Sequence, residues 1–276
     1  MSSNVVFDNR VIGSKFQSIL ATLLNAKNFM TIDTTLAQAP GMYKTINTYT
    51  NTAGTVEQLA EGYGNSTTGV VEVVSKDYRV LTEQYRWMVS DEDVMKDPKV
   101  VDAHVKFAAE KIANKLTSNF YSALDTKVGG SGADADDFIV HSEMMASGKH
   151  IEYDFIVDCL TYLNYENESD LFLIIPNTWK GYLRKDDEFK GARMGELLFT
   201  GQIGSIAGIP VICTKALTDE AFLMTKEAVT MFIKKDTSVE DKRDPDKRET
   251  FYWNRAVYVC ALTDASKAVR LVEYSA

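Results

Sequence analysis

The sequence predicts an α+β fold, and three observations carry that prediction. One long amphipathic helix is written after Pro98, helices and strands alternate through residues 150–230, and strand-patterned runs stand on both sides of these segments. A chain of 276 residues with 45% apolar residues can bury a substantial core, as one large domain or two modest ones.

Between Met1 and Asn28 a polar start is followed by Val11, Ile12, Phe16, Ile19, Leu20, Leu23 and Leu24 at helical spacing, which predicts a short amphipathic helix. Its apolar face either caps the local core or lies on a neighbouring subunit. Pro40-Gly41 then marks a turn, Tyr43 to Tyr49 reads as a strand, and Val70 to Arg86 reads as a longer one. Between them, Asn51 to Thr68 holds Gly54, Gly62 and Gly64 and few large aliphatic side chains. Two strands of about 12 residues would project on the order of 40 Å. An isolated two-stranded ribbon is marginally stable, so this one either packs on its own domain or lies against something else.

Ser90 and Asp93 form a capping-box pair that opens a single turn ending near Met95. Asp97 supplies the next N-cap, and Pro98 takes the first helical position, where its missing N–H costs nothing. Val101, Val105, Ala108, Ile112, Leu116, Phe120 and Ala123 follow at a period of 3.6 residues with no Pro or Gly before Gly129. A helix over residues 98–125 would be a rod of about 40 Å.

Gly129 to Asp137 reads as a Gly/Asp loop at a domain edge. Phe155, Ile156, Cys159, Leu160 and Leu163 predict an amphipathic helix, and Leu171 to Ile175 a buried strand ended by Pro176. Asn177 is placed to cap a helix that Trp179, Tyr182 and Leu183 pack down. Ile209 to Ile212, running into Cys213 and Thr214, and Ala221 to Met224 read as strands, so residues 150–230 predict a compact α/β unit. Thr250 to Ala261 and Ala268 to Glu273, parted by Asp264, predict a closing antiparallel sheet.

Charge excludes a class of partner. The formal charge is -9 with only three His, so the surface as a whole repels phosphate backbones. The basic runs Lys234-Lys235, Lys242-Arg243 and Lys247-Arg248 lie among Asp and Glu and read as solvated loops. Cys159, Cys213 and Cys260 each sit inside an apolar run, which suits small buried side chains in a reducing compartment. No apolar segment follows a basic start and no stretch is long enough to span a bilayer, so the expectation is a chain made in cytosol, with no membrane partner.

Chemistry is hard to find. Gly201-Gln-Ile-Gly204-Ser-Ile-Ala-Gly208 lacks both glycine-loop orders that cradle phosphates, and it precedes a strand where a dinucleotide loop must follow one. Tight turns are the simpler reading. Asp91, Glu92 and Asp93 fit a helix N-terminus better than a cation, and Asp244-Pro-Asp246 fits an exposed turn. His104, beside the helical stripe, is read as a packing group, and His141 and His150 do not complete a ligand set with it. Met144-Met145, Trp87, Trp179 and Trp253 suit core or contact roles. The expectation is a chain with no catalytic, cofactor-binding or metal-binding residues, so not an enzyme.

The order of these pieces resembles the Hong Kong 97-like major capsid proteins of tailed bacteriophages. The matching segments are Gly54 to Glu61-Gly62, the run from Val80 through Asp91-Glu92-Asp93 to Pro98, and Gly201 through Gly208 to Ile209-Pro-Val-Ile212. The resemblance covers nearly the whole chain. It implies an N-terminal arm over residues 1–39, an extended E-loop with flanking strands over 40–86, and a peripheral domain with its spine helix over 87–149. An inserted axial domain over 150–230 and a return to the peripheral domain over 231–276 complete it. The implied function is self-assembly into pentamers and hexamers of an icosahedral virion capsid, enclosing double-stranded DNA without reading its sequence, built in the host bacterial cytoplasm. Implied partners are a portal protein, a separate scaffolding protein, since the chain reaches its arm within about ten residues, and a decoration protein. Cross-linking relatives use an E-loop Lys, and none lies between Thr45 and Ser75 here, so covalent chain mail is not expected. Three alternatives stand beside this reading: an encapsulin-like cellular compartment, an α/β enzyme using a nucleotide or phosphate, and a monomeric binding module with residues 45–75 packed on their own domain.

Overall fold

A helix with one apolar stripe needs a surface to bury it, and here the stripe lies between two sheets. The computed structural model describes residues 9–23, 25–59, 61–124, 140–146, 149–185 and 204–273. In chain order the elements begin with α1 (Asn9–Leu23), β1 (Thr31–Asp33), β2 (Tyr43–Ala53), β3 (Val70–Arg79), β4 (Leu81–Ser90), α2 (Asp91–Lys96) and α3 (Val100–Leu124). They continue with β5 (His141–Met144), α4 (Tyr153–Leu163), β6 (Leu171–Pro176), α5 (Lys180–Lys185), β7 (Ser205–Ile206), β8 (Ile209–Thr214), β9 (Glu220–Thr225), β10 (Val229–Asp244), β11 (Glu249–Leu262) and β12 (Ala268–Val272). The combination is α+β, as expected.

The long helix forms where its period places it. Every member of the stripe, from Val101 through Ile112 to Ala123, is buried. Its start is set by Asp97, whose carboxylate accepts the Lys99 amide at 2.9 Å, with Pro98 in the turn just before Val100. Upstream, Ser90 Oγ accepts the Asp93 amide at 3.1 Å and donates to the Asp93 carboxylate at 2.7 Å, the expected capping pair.

The strands form three sheets, two of which pack on this helix. The first has the order β1-β10-β11-β4, with β10–β11 and β11–β4 antiparallel and β1 parallel to β10. The second has the order β5-β12-β9-β6-β8-β7, and the third is the two-stranded ribbon β2–β3. In β6 all six residues are buried, because both faces of the second sheet are covered. Phe172 and Ile174 face the core shared with α3 and the first sheet. Leu171, Leu173 and Ile175 face a second core closed by Ile156 and Cys159 of α4 and by Trp179 and Leu183 around α5.

Four details differ from the sequence reading. The run Val70–Arg86 is not one strand: Val80, 1% exposed, donates its amide to Met42 at 2.8 Å, and there the chain leaves β2 and joins β11. Lys234-Lys235 and Lys242-Arg243 lie in β10 and not in a loop, and only Lys247-Arg248 occupies a turn. The two last strands do not close one sheet, since β11 belongs to the first and β12 to the second, with a one-turn helix capped by Asp264 between them. Asn177 starts a turn, and its amide donates to the Thr214 carbonyl at 2.9 Å while α5 begins at Lys180. The Gly129–Asp137 loop and the start of the Gly201–Gly208 segment lie outside the described residues.

The stripe yields a direct test. Ile112→Asp places a carboxylate among the buried apolar groups of α3, and its expected cost of about 4 kcal/mol is a large share of a domain's stability, so the thermal melt should fall by many degrees. Soluble subunits with an unchanged thermal melt would show that Ile112 does not face the core.

Candidate functional site

The ribbon β2–β3 is built to be seen from outside. Its register runs from Tyr43 opposite Arg79 to Asn51 opposite Val71, with a bulge before Ala53. Alternation divides its faces. Near the base Ile46, Val74 and Tyr78 pack with Val80 against Leu36, Phe232 and Ala261, and the Tyr78 hydroxyl donates to the Leu262 carbonyl at 3.2 Å. Beyond the base Tyr49, Val70, Val71 and Val73 are exposed, and toward the tip so are Val56, Leu59 and Tyr63. Exposed apolar groups on a projecting element mark an interaction surface more surely than single ones scattered over a domain.

The tip is ordered by a few polar contacts. Gly54 has φ +102°, and a Cβ there would lie 2.7 Å from Gly69 Cα, so only glycine lets the two strands approach so closely. The Glu57 carboxylate accepts the Ser66 amide at 2.8 Å, the Ser66 hydroxyl at 2.7 Å, the Thr67 amide at 3.0 Å and the Thr67 hydroxyl at 2.7 Å. These hydrogen bonds, the Ser66 amide foremost, hold its pKa down to about 2.

A second outward surface lies on the first sheet. Along β11, Tyr252, Asn254, Ala256 and Tyr258 are buried on the α3 side, while Phe251, Trp253 and Arg255 point the other way. Trp87 of β4 stacks on Tyr252 at 4.3 Å and on His104 at 5.3 Å, and donates its indole N–H to Asn254 at 3.2 Å. His104 is thus a packing group. On the outward side Arg86 lies over Phe251 at 4.4 Å and over Trp253 at 5.7 Å.

The remaining chemical groups are engaged in structure. His141 meets Glu143 at 2.6 Å and stacks on Tyr162, and His150 meets Glu273 at 3.0 Å and stacks on Tyr182. The three histidines are therefore on different partners. Burial pushes the Cys159 and Cys260 thiols up to about 12, which leaves them unreactive at neutral pH. A hollow between α3 and the β8–β9 connection is lined by Thr117, Tyr121, Lys215 and Glu220, but Glu220 is held by Arg270 at 2.6 Å. Ala207 and Gly208, at φ 48° and 83°, make the tight turn joining β7 to β8. Asp91, first residue of α2, pairs with Arg243 at 2.6 Å, and the Asp244 carboxylate accepts the Asp246 amide in the exposed turn. Among the described residues no group of three or more His, Cys, Asp or Glu could hold a metal ion, and no helix is long and apolar enough to cross a membrane.

A profile of the family described as Phage capsid protein matches residues 71–271, which takes in α3 and the strands of both large sheets apart from β1. This chain belongs to that family. It is also similar to the major capsid protein of Staphylococcus phage phiMR11, with 23% identity over 96% of this chain and 93% of that protein. Among solved structures it shares its fold with the capsid of Cyanophage P-SCSP1u (TM-score 0.71, 11% identity, 90% of this chain and 87% of that one). The capsid of an empty GTA particle is similar too (TM-score 0.72, 12% identity, 92% and 90%). These matches give no support to an encapsulin-like compartment or to a nucleotide- or phosphate-using enzyme.

A phage capsid protein is a structural subunit of the virion's shell, so its site is the set of surfaces that meet other copies. In this phage capsid protein sequence reasoning found the ribbon. The tip's order is open to titration. A depressed carboxylate contributes fully above the ordinary range near 4.5 and loses its effect as pH falls through about 2. Carbon-detected NMR of Glu57 should give a midpoint near the lower value, and a midpoint near 4.5 would mean that the four hydrogen bonds do not form in solution.

Proposed function

We propose that this phage capsid protein is the major shell subunit of a tailed-phage head. It assembles as pentamers and hexamers that close into an icosahedral shell enclosing double-stranded DNA. The observation that carries this is the ribbon, whose distal apolar groups, with Tyr49 68% and Val71 62% exposed, have nothing to lie on within the described chain. Such a ribbon is only marginally stable alone, so a neighbouring subunit is its natural support. In this reading residues 1–39 form the N-terminal arm, 40–86 the E-loop and its flanking strands, and 87–149 the peripheral domain with α3 as its spine. Residues 150–230 form the axial domain, and 231–276 return to the peripheral one.

The net charge of -9 fits a wall that contains DNA without holding it tightly or reading its sequence. Assembly takes place in the host bacterial cytoplasm, with a portal protein, a separate scaffolding protein and a decoration protein as partners. Closure follows from several modest contacts repeated around each subunit, with geometry setting the product. Without Lys in the E-loop those contacts are non-covalent there.

Folding and assembly can be separated by shortening the ribbon. Replacing Thr50 to Asn65 with a short Gly/Ser turn removes the tip but none of the base residues that pack on Phe232. The melting temperature should stay within about 3 °C of the parent, while negative-stain images show no closed shells where the parent forms them. Shells forming as readily from the shortened protein would defeat the proposal, and a collapse in melting temperature would place the ribbon inside its own domain's core.

A further inference from the structure

The acidic balance of the chain is not spread evenly over its surface. Between Pro98 and Leu124 four lysines stand against two carboxylates, and one of these, Asp102, is already paired with Lys15 at 2.9 Å. Lys111, Lys115, Ser118 and Ser122 recur at helical spacing, so they share one side of α3, and all four are exposed over about 16 Å of its length. Glu110, half-buried, lies about 100° round the helix from Lys111.

The row runs into the hollow between α3 and the β8–β9 connection, which has a volume of about 420 Å³. Asn114, Ser118 and Ser122 line its helical wall and Lys215 the other. The one carboxylate on its walls, Glu220, is bound by Arg270 through Nε at 2.7 Å and through a terminal nitrogen at 2.6 Å, which cancels its charge. Thr117 donates its hydroxyl to the Ala113 carbonyl at 2.9 Å, and the Tyr121 hydroxyl is bonded to Thr214. Lys111, Lys115 and Lys215 meet no carboxylate among the described residues. What remains is uncancelled positive charge beside neutral hydroxyl and amide donors, the chemistry that receives an anion.

Its extent and its residue types narrow the anion. The row is longer than a single small ion needs, whereas a DNA duplex carries about ten phosphate charges over about 16 Å. Lysine ammonium groups and serine hydroxyls contact phosphate oxygens without reading bases. The hollow is also wide enough for a phosphodiester with its flanking sugars.

We infer that this row and hollow hold the phosphodiester backbone of the enclosed duplex, with Lys111, Lys115 and Lys215 each meeting a phosphate and Asn114, Ser118 and Ser122 donating to the phosphate oxygens. The inference rests on the reading of a DNA-enclosing shell and adds where the wall touches its contents. Three contacts per subunit keep the hold weak, salt-dependent and blind to sequence.

Lysine acetylation of free subunits, empty shells and DNA-filled shells, read by mass spectrometry against Lys247 in the exposed turn, tests it. Lys111, Lys115 and Lys215 should label freely in subunits and empty shells and at least fivefold more slowly in filled ones. Equal labelling of filled and empty shells would overturn the inference, and protection already present in empty shells would give the surface to a neighbouring copy and also overturn it. Neither result touches the shell reading, which fails only if no shells form. Binding of free subunits to a 30-base-pair duplex, followed by fluorescence anisotropy over a salt series, decides the inference separately. Replacing Lys111→Gln, Lys115→Gln and Lys215→Gln together should flatten the slope of log affinity against log salt by about 2.7, the value for three phosphates, with the melt unchanged. An unchanged slope would overturn it, as would polyglutamate binding as tightly as duplex of equal charge, which would make an acidic protein segment the occupant.

Discussion

The apolar stripe of α3 is the surface on which both large sheets are set. Val101 to Ile112 lie under the buried face of the first sheet, with Trp87, Tyr252 and Tyr258 in the same core, and Phe120 and Tyr121 continue it to Phe222 of the second sheet. One unbroken helix of 25 residues thereby fixes the spacing of the two sheets across a shared core. Close packing makes such a contact discrete, so the two sheets hold one relative placement and the surfaces they present outward are rigid. Shell closure requires that kind of constancy, because small angular errors repeat at every subunit.

The ribbon obeys a different rule. Within the domain, apolar residues are inside and hydrogen bonds close within each sheet; in the ribbon, Val70, Val71, Val73 and Tyr49 face outward and both edges are open. A monomeric protein would cover or charge such a strand pair. A capsid subunit can leave it open when, as proposed above, another copy covers it. The polar ordering of the tip through Glu57 and Gly54 reduces the entropy that must be lost on docking, without adding a core of its own.

Much of this was legible in the residues, for identifiable reasons. The α3 stripe, the Ser90–Asp93 cap, the fully apolar β6 and the glycine-marked ribbon tip are local signals, set by period, by capping chemistry or by a backbone angle. The polar half of β10 was not, since Asp236 to Asp244 has the composition of a loop. It is a strand because Phe251, Tyr252 and Trp253 of β11 pair with it, a tertiary effect that overrides propensity. The same holds for the break at Val80, which is set by a change of partner from β2 to β11, and for the assignment of β11 and β12 to separate sheets. The outward row of Arg86, Phe251 and Trp253 is visible in the alternation of β11 only once its buried side is known.

The central claim is that the subunit folds without its ribbon and that a neighbouring copy covers the ribbon and stabilises it. Amide hydrogen exchange of free subunits and of assembled shells, read by mass spectrometry, tests it most directly. Peptides from α3 should be protected in both states, while those from Thr48 to Val74 should exchange at least a hundredfold faster in the free subunit than in the shell, a ratio that corresponds to about 2.7 kcal/mol of opening free energy supplied by the neighbour. Ribbon amides equally protected in both states would contradict the account.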